Sequence, residues 1–191
     1  AATPLLIKAA REPDWIHLVS LSIFIGSMIL LYAASTMYHT LDISDKWNKI
    51  LKKIDHMMIF ILIAGSYTPV CLIVLDRKTG LKLFALVWGI ALAVIIIKAL
   101  WINCPKWFSS ILYIAMGWVC VLAFTQIINA LPAKAFAWLL AGGIVYALKL
   151  PLFNSRHKNF GSHEIFHLFV MGGSLCHFIC MYWFIAAMPL R

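Results

Sequence analysis

Three short strings carry side chains capable of chemistry: STMYH at Ser35 to His39, Asp55 at the mouth of an apolar run, and HEIFH at His163 to His167. Each lies at the edge of a segment hydrophobic enough to cross a bilayer, where ionisable residues are costly and mark function. Helical residues four apart lie one turn apart on one face, so Ser35 sits beneath His39, and His163 beside His167. If the helices alternate in direction, all of these ends face the same side of the membrane. Three imidazoles and a carboxylate can then converge on a zinc ion (Zn2+), with a fourth position left for water, as in catalytic zinc sites. Zinc-bound water is acidified to a pKa of about 7. Asp55 is placed to orient that water or to take its proton. Ser35 is placed to hold a ligand or to donate a hydrogen bond to a developing oxyanion.

The elements that must position these groups follow from composition. A chain of 191 residues that is 63% hydrophobic and 12% charged is an integral membrane protein. Apolar runs at Trp15 to Tyr38, Met57 to Leu75, Leu83 to Ile97, Trp107 to Leu131, Ala135 to Leu148 and Ile165 to Leu190 predict six spanning helices, the fifth of them short. A crossing takes roughly 20 residues. Continuous apolar runs are helical, because barrel strands would alternate. The fold class is therefore all-α, a polytopic membrane helical bundle. Short loops and the absence of any compositional break make residues 1–191 one domain. The opening string AATPLLIKAA is too short to span and reads as part of a further helix.

Lysines and arginines divide nine against seven between the two faces. The cluster Lys46, Lys49, Lys52 and Lys53 places the face bearing the candidate site in the cytoplasm, beside anionic lipid. The net charge of +9 then calls for no nucleic acid. The five cysteines form neither a disulfide framework nor a thiolate metal motif, and Cys176 and Cys180 read as packing. Gly142-Gly143 and Gly172-Gly173 read as close helix contacts.

Plainer explanations stand beside the metal site. A single histidine at the end of a span is usually interfacial, which is the expectation for His17, His56 and His157. HEIFH matches the zincin pattern, with Glu164 in the general-base position, yet the motif alone is weak. His177 lies ten residues past His167, turned about 80° off that face and about 15 Å deeper, so it is a poor third ligand and reads as a buried polar contact. Haem ligation is disfavoured because Asp55 and Ser35 add hard oxygen donors. A pore is disfavoured because the polar residues gather at one end instead of lining a path.

The strings ASTMYH, LKKIDHMMIFILIAGSYTPV, YIAMGW and SHEIFHLFVMGGSLCHF resemble the hemolysin III branch of the progestin and adipoQ receptor family. That family also contains the adiponectin receptors and is similar to a wider superfamily that includes alkaline ceramidases. The resemblance implies a seven-helix bundle with a cytoplasmic amino terminus, of which six spans are visible here. It also implies a zinc ion near the cytoplasmic side, held by His39, His163 and His167. Asp55 would hold the zinc-bound water and Ser35 would belong to the same cluster. The bacterial branch implies residence in the inner (plasma) membrane. Relatives suggest hydrolysis of a lipid amide such as ceramide, so the expected partner is membrane lipid, as a lipid substrate or a fatty acid. The chain departs from the family pattern in showing only the tail of the first helix and a shortened fifth run. Two functions remain open: a zinc-dependent hydrolase of lipid amides or esters, and a membrane sensor or regulator whose zinc ties three helices together. The haemolytic activity for which the branch is named is a third, membrane-active alternative.

Overall fold

Helix starts are set by side chains that accept the first free amides. Asp14, Ser44 and Asp76 accept hydrogen bonds from the backbone N–H of His17, Trp47 and Thr79 and so begin three of the long helices. The bond from the Thr79 amide also holds the exposed Asp76 carboxyl below its ordinary range. The computed structural model describes residues 2–101, 106–154 and 162–190, with side chains except those of 106–108, 110, 149–154 and 162–166.

Eight α-helices follow one another among the described residues: α1 (Ala2–Ala9), α2 (Trp15–Thr40), α3 (Asp45–Pro69), α4 (Arg77–Leu100), α5 (Lys106–Trp118), α6 (Phe124–Ala130), α7 (Ala133–Asn154) and α8 (Ser162–Cys180). A π-helical turn extends α3 over Val70–Val74 and another extends α8 over Met181–Ile185, while a 3₁₀ turn at Val119–Ala123 joins α5 to α6. The chain is thus an all-α membrane bundle. Five described stretches are long and apolar enough to cross a bilayer: Trp15–Thr40, Asp45–Val74, Arg77–Leu100, Ile111–Ala130 and His167–Ile185. The shortness expected of the fifth apolar run is seen in Ala133–Leu148, although α7 itself continues to Asn154, 22 residues or about 33 Å of helix. Pro105 and Cys104 lie outside the described residues.

The most extensive pairings are α2 with α3 and α7 with α8, and small residues make both possible. A Cβ at Gly65 of α3 would run into the Ser27 side chain of α2, with the Ile23 carbonyl at 3.4 Å. A Cβ at Gly142 of α7 would strike the His177 ring of α8, and one at Gly173 of α8 would meet the Tyr146 ring at 2.8 Å. Of the two glycine pairs expected at close contacts, Gly142 and Gly173 make them, with aromatic rings as the partners, whereas Gly143 faces open space and Gly172 meets only Val145 at 3.4 Å.

Where helices break inside hydrocarbon, side chains supply the missing hydrogen bonds. Pro69 has no amide to return to the preceding turn. Nearby, Thr68 donates its hydroxyl to the Ala64 carbonyl at 2.9 Å and accepts from the Trp88 indole at 3.1 Å. At the 3₁₀ turn, the Tyr67 hydroxyl is shared between the Met116 and Gly117 carbonyls at 3.0 and 2.8 Å, and it accepts from the Cys120 amide at 2.9 Å. One hydroxyl on α3 therefore serves the whole break between α5 and α6.

A third set of contacts ties the first long helix to the last. His17 reaches the Met188 carbonyl at 2.8 Å, Tyr32 donates to Ser174 at 2.8 Å, and His39 faces His167. Adding the two residue numbers in each contact gives almost the same total, the signature of one antiparallel register. α2 and α8 are not among the closely packed backbone pairs of the described residues, so these long side chains carry the connection.

Two substitutions test this packing through thermal unfolding in detergent micelles. Tyr67→Phe should cost about 1–3 kcal/mol by stranding the groups at the α5–α6 break. Gly65→Val should cost about 1–3 kcal/mol by forcing α2 from α3.

Candidate metal centre

His39 lies in the last turn of α2, and His167 lies on α8, 128 residues later. Their Nε2 atoms are 3.2 Å apart and their rings meet edge to face, with centroids 5.0 Å apart. His39 is exposed and His167 half-buried, so the pair lies at the surface end of the helices. The distance is informative about metal. Two nitrogens bound to one tetrahedral zinc at about 2.0–2.1 Å stand about 3.3–3.4 Å from each other. The pair therefore fits two ligand positions of such an ion.

His163 begins one turn before His167 on the same helix, so its backbone is placed to extend this face. Its side chain and that of Glu164 lie outside the described residues, as does the whole of His157. Among the described residues no three His, Cys, Asp or Glu side chains gather as a metal-binding group. Two of the expected ligands thus come together, and the third is placed by its backbone alone.

Ser35 is half-buried on α2, one turn deeper than His39. Asp55 is on α3, 14% exposed, with a carboxylate oxygen 3.7 Å from Nδ1 of His56. The α2–α3 register fixes their relative depth. Gly65 stands against Ser27 and Ile23, so Asp55, ten residues earlier on α3, falls about level with Ser35. The site is layered, with the histidine pair at the outer level and the serine and carboxylate about one turn below. His56 donates from Nδ1 to the Lys52 carbonyl at 2.7 Å, and its own carbonyl accepts from the Tyr113 hydroxyl at 2.8 Å, which fixes the turn carrying Asp55.

His177 turns to α7. Its Nε2 donates to the Leu139 carbonyl at 3.3 Å and its ring packs on Gly142 and Tyr146, as expected of a buried polar contact. Cys180 is fully buried and donates its thiol to the Ala135 carbonyl at 3.4 Å, which is the packing role expected of it.

Two groups were not legible. His17, expected at the interface, is 1% exposed and bonded at both ring nitrogens. Lys98, counted among the loop charges, is 6% exposed near the end of α4. Its Nζ donates to Ser109 at 2.8 Å and stands 5.6 Å from the Phe60 ring centroid. The available signal was its place inside the regular helix instead of beyond it.

Fold and site together define an integral membrane protein built as a helical bundle, with a histidine pair joining its first and last long helices at one end. The chain belongs to the Haemolysin-III related family, whose family model matches residues 1–178. It is 35% identical over 181 residues to Hemolysin-3 of Bacillus cereus, covering 95% of this chain and 82% of that protein. It is also 35% identical over 185 residues to the Hemolysin-3 homolog of Bacillus subtilis (strain 168), covering 97% of this chain and 86% of the other. No solved structure gives a significant match.

Elemental analysis of protein purified without chelator tests the centre. The parent should carry one equivalent of zinc. His39→Ala, His163→Ala and His167→Ala should each lose most of it, while His177→Ala should keep it. Full occupancy in the His167→Ala variant would mean that the ligand set is wrong.

Proposed function

We propose that this protein is a zinc-dependent membrane hydrolase that cleaves a lipid amide or ester, with His39, His163 and His167 as the metal ligands. The observation that carries the proposal is the 3.2 Å approach of the His39 and His167 nitrogens, close to the spacing of two ligands on one tetrahedral ion. Zinc held there would supply Lewis-acid polarisation of a carbonyl and acidification of water. Asp55, one layer deeper, takes the proton of the attacking water and passes it to the leaving nitrogen or oxygen. Water oxygen bonds to the carbonyl carbon, the C–N or C–O bond breaks, and a fatty acid and an amine or alcohol result. Ser35, level with Asp55, donates a hydrogen bond to the developing oxyanion. The bundle supports a lipid substrate because the site lies at the end of apolar helices whose outer faces meet acyl chains. The lysines at 46, 49, 52 and 53 support a cytoplasmic position for this end, in the inner membrane of a bacterium.

The names of the two Bacillus relatives favour a second reading, lysis of a target membrane. A third is a regulator in which zinc has only a structural role. One set of assays separates the three. Purified protein in nanodiscs should release fatty acid from ceramide or a related amide or ester lipid. Asp55→Asn should retain zinc and lose at least about 100-fold in turnover, the scale of general-base catalysis. Zinc-loaded parent protein without turnover would favour the structural role, and dye release from vesicles at equal rates in parent and Asp55→Asn would favour lysis.

A further inference from the structure

We propose that the outward end of α3 is a docking site for an anionic phospholipid, whose phosphate is held by Lys46, Lys49 and Lys52 in the headgroup layer. The helix and its π-helical extension run from Asp45 to Val74, 30 residues or about 45 Å. The hydrocarbon of a bilayer is about 30 Å thick, so about 15 Å of this span lies outside it. Charge decides which end that is. Residues 46–53 carry four of the chain's 16 lysines and arginines, whereas the stretch from Met57 to Val74 carries none.

The contact with α4 shows how far this end projects. Lys53 donates from Nζ to the Ala99 carbonyl at 2.7 Å, so it stands near the level at which α4 finishes at Leu100. Asp45 begins α3 eight residues further out, and the first two turns of α3 therefore rise about 10 Å above the end of α4. Short-range bonds set them there: Ser44 accepts from the Trp47 amide at 3.4 Å, and the Asn48 side chain donates to Asp42 at 2.7 Å. The two acidic groups of this elbow do not cancel the lysines. Asp42 is bound by Asn48, and Asp45 sits in the first turn, where the free helix amides favour a carboxylate.

Lys46, Lys49 and Lys52 are exposed and follow one another every third residue, which makes them a ridge along these turns. Lys53 is not part of it, because its ammonium is engaged by the α4 carbonyl. Trp47, beside the ridge, is 52% exposed, and Ile43, just before the helix, is 60% exposed. An indole at the end of a span seats in the headgroup layer, with its ring on apolar groups and its N–H in the polar zone. Further in, Ile96 and Leu100 lie one turn apart on an exposed face of α4 and offer a track for an acyl chain up to the level of Lys53. Ammonium groups outside and apolar side chains inside match a phospholipid along its length. An acidic protein segment would match the lysines alone, so the exposed Trp47 and Ile43 favour the lipid.

Phosphatidylglycerol is the probe, titrated into the whole chain in neutral detergent micelles with bound lipid counted by native mass spectrometry, and phosphatidylcholine is the zwitterionic reference. The parent should bind one phosphatidylglycerol at least about tenfold more tightly than phosphatidylcholine. Lys46→Gln, Lys49→Gln and Lys52→Gln should each weaken it about fivefold, the effect of one lysine beside an anionic lipid. Lys53→Gln should leave the affinity nearly unchanged. So should a triple variant, Lys78→Gln, Lys82→Gln and Lys134→Gln, which removes the same charge from the opposite face. In the parent itself, amine labelling of Lys46, Lys49 and Lys52 should slow more than that of Lys78 and Lys82 when phosphatidylglycerol is added to nanodiscs, a comparison that needs no variant to fold. Equal affinity of the parent for the two lipids overturns the proposal and means that an acidic protein or water alone meets the ridge. A loss in Lys53→Gln or in the opposite-face variant as large as in Lys49→Gln overturns it too, because the attraction would then be that of overall charge and not of a site.

Discussion

Inside hydrocarbon a peptide group deprived of its helical partner has no water to replace it, and this constraint governs the rest of the molecule. Several irregularities in the described backbone coincide with a side chain that hydrogen-bonds backbone groups beside them. Tyr67 bridges the 3₁₀ turn between α5 and α6, Thr68 serves the turn before Pro69, and Lys8 takes a carbonyl from the π-helical extension of α8. These donors come from other helices or from the preceding turn. A local defect in one span is thereby converted into a tertiary contact, and the helices are specified as neighbours by their imperfections as much as by their apolar faces.

The same rule applies to polar side chains, which must find partners within the bundle. Ser174 illustrates it, since its hydroxyl meets both Tyr32 of α2 and Tyr146 of α7 at 2.8 Å. Three helices share that one oxygen, between the histidine pair and the His17 contact and nearer the former. Polar contacts at three depths hold α2 and α8 in antiparallel register while leaving their backbones apart. A metal centre at the outer level would thus be built on helices already aligned from below.

Much of this arrangement could be read from the sequence for a simple reason. Long apolar runs require helices, alternating direction puts the ends near His39, Asp55 and His167 on one side, and a four-residue spacing puts Ser35 under His39. None of these steps needs a long-range contact. What escaped the sequence does need one. The break at Val119–Ala123 contains neither proline nor glycine and is stabilised by a tyrosine some 50 positions earlier. His17 looked like any histidine at the end of a span, because its acceptor on Met188 is 171 residues away. Lys98 counted as a loop charge until the helix was seen to enclose it. Ends of elements and spacing within them are local information, whereas the burial of a single polar group is decided by a partner that the local sequence does not contain.

The histidine pair also says something about the order of biosynthesis. Spans emerge from the ribosome in sequence, and His39 is inserted four long helices before His167 is made. The contact between His39 and His167 forms only after α8 has been delivered to the bilayer and has docked against α2. Until then the amino-terminal helices can pack on one another, as α2 does on α3, but the chain remains an open arc. Meeting of the two imidazoles joins α2 to α8 across the intervening spans, so anything they hold together can be captured only after α8 has been made and inserted.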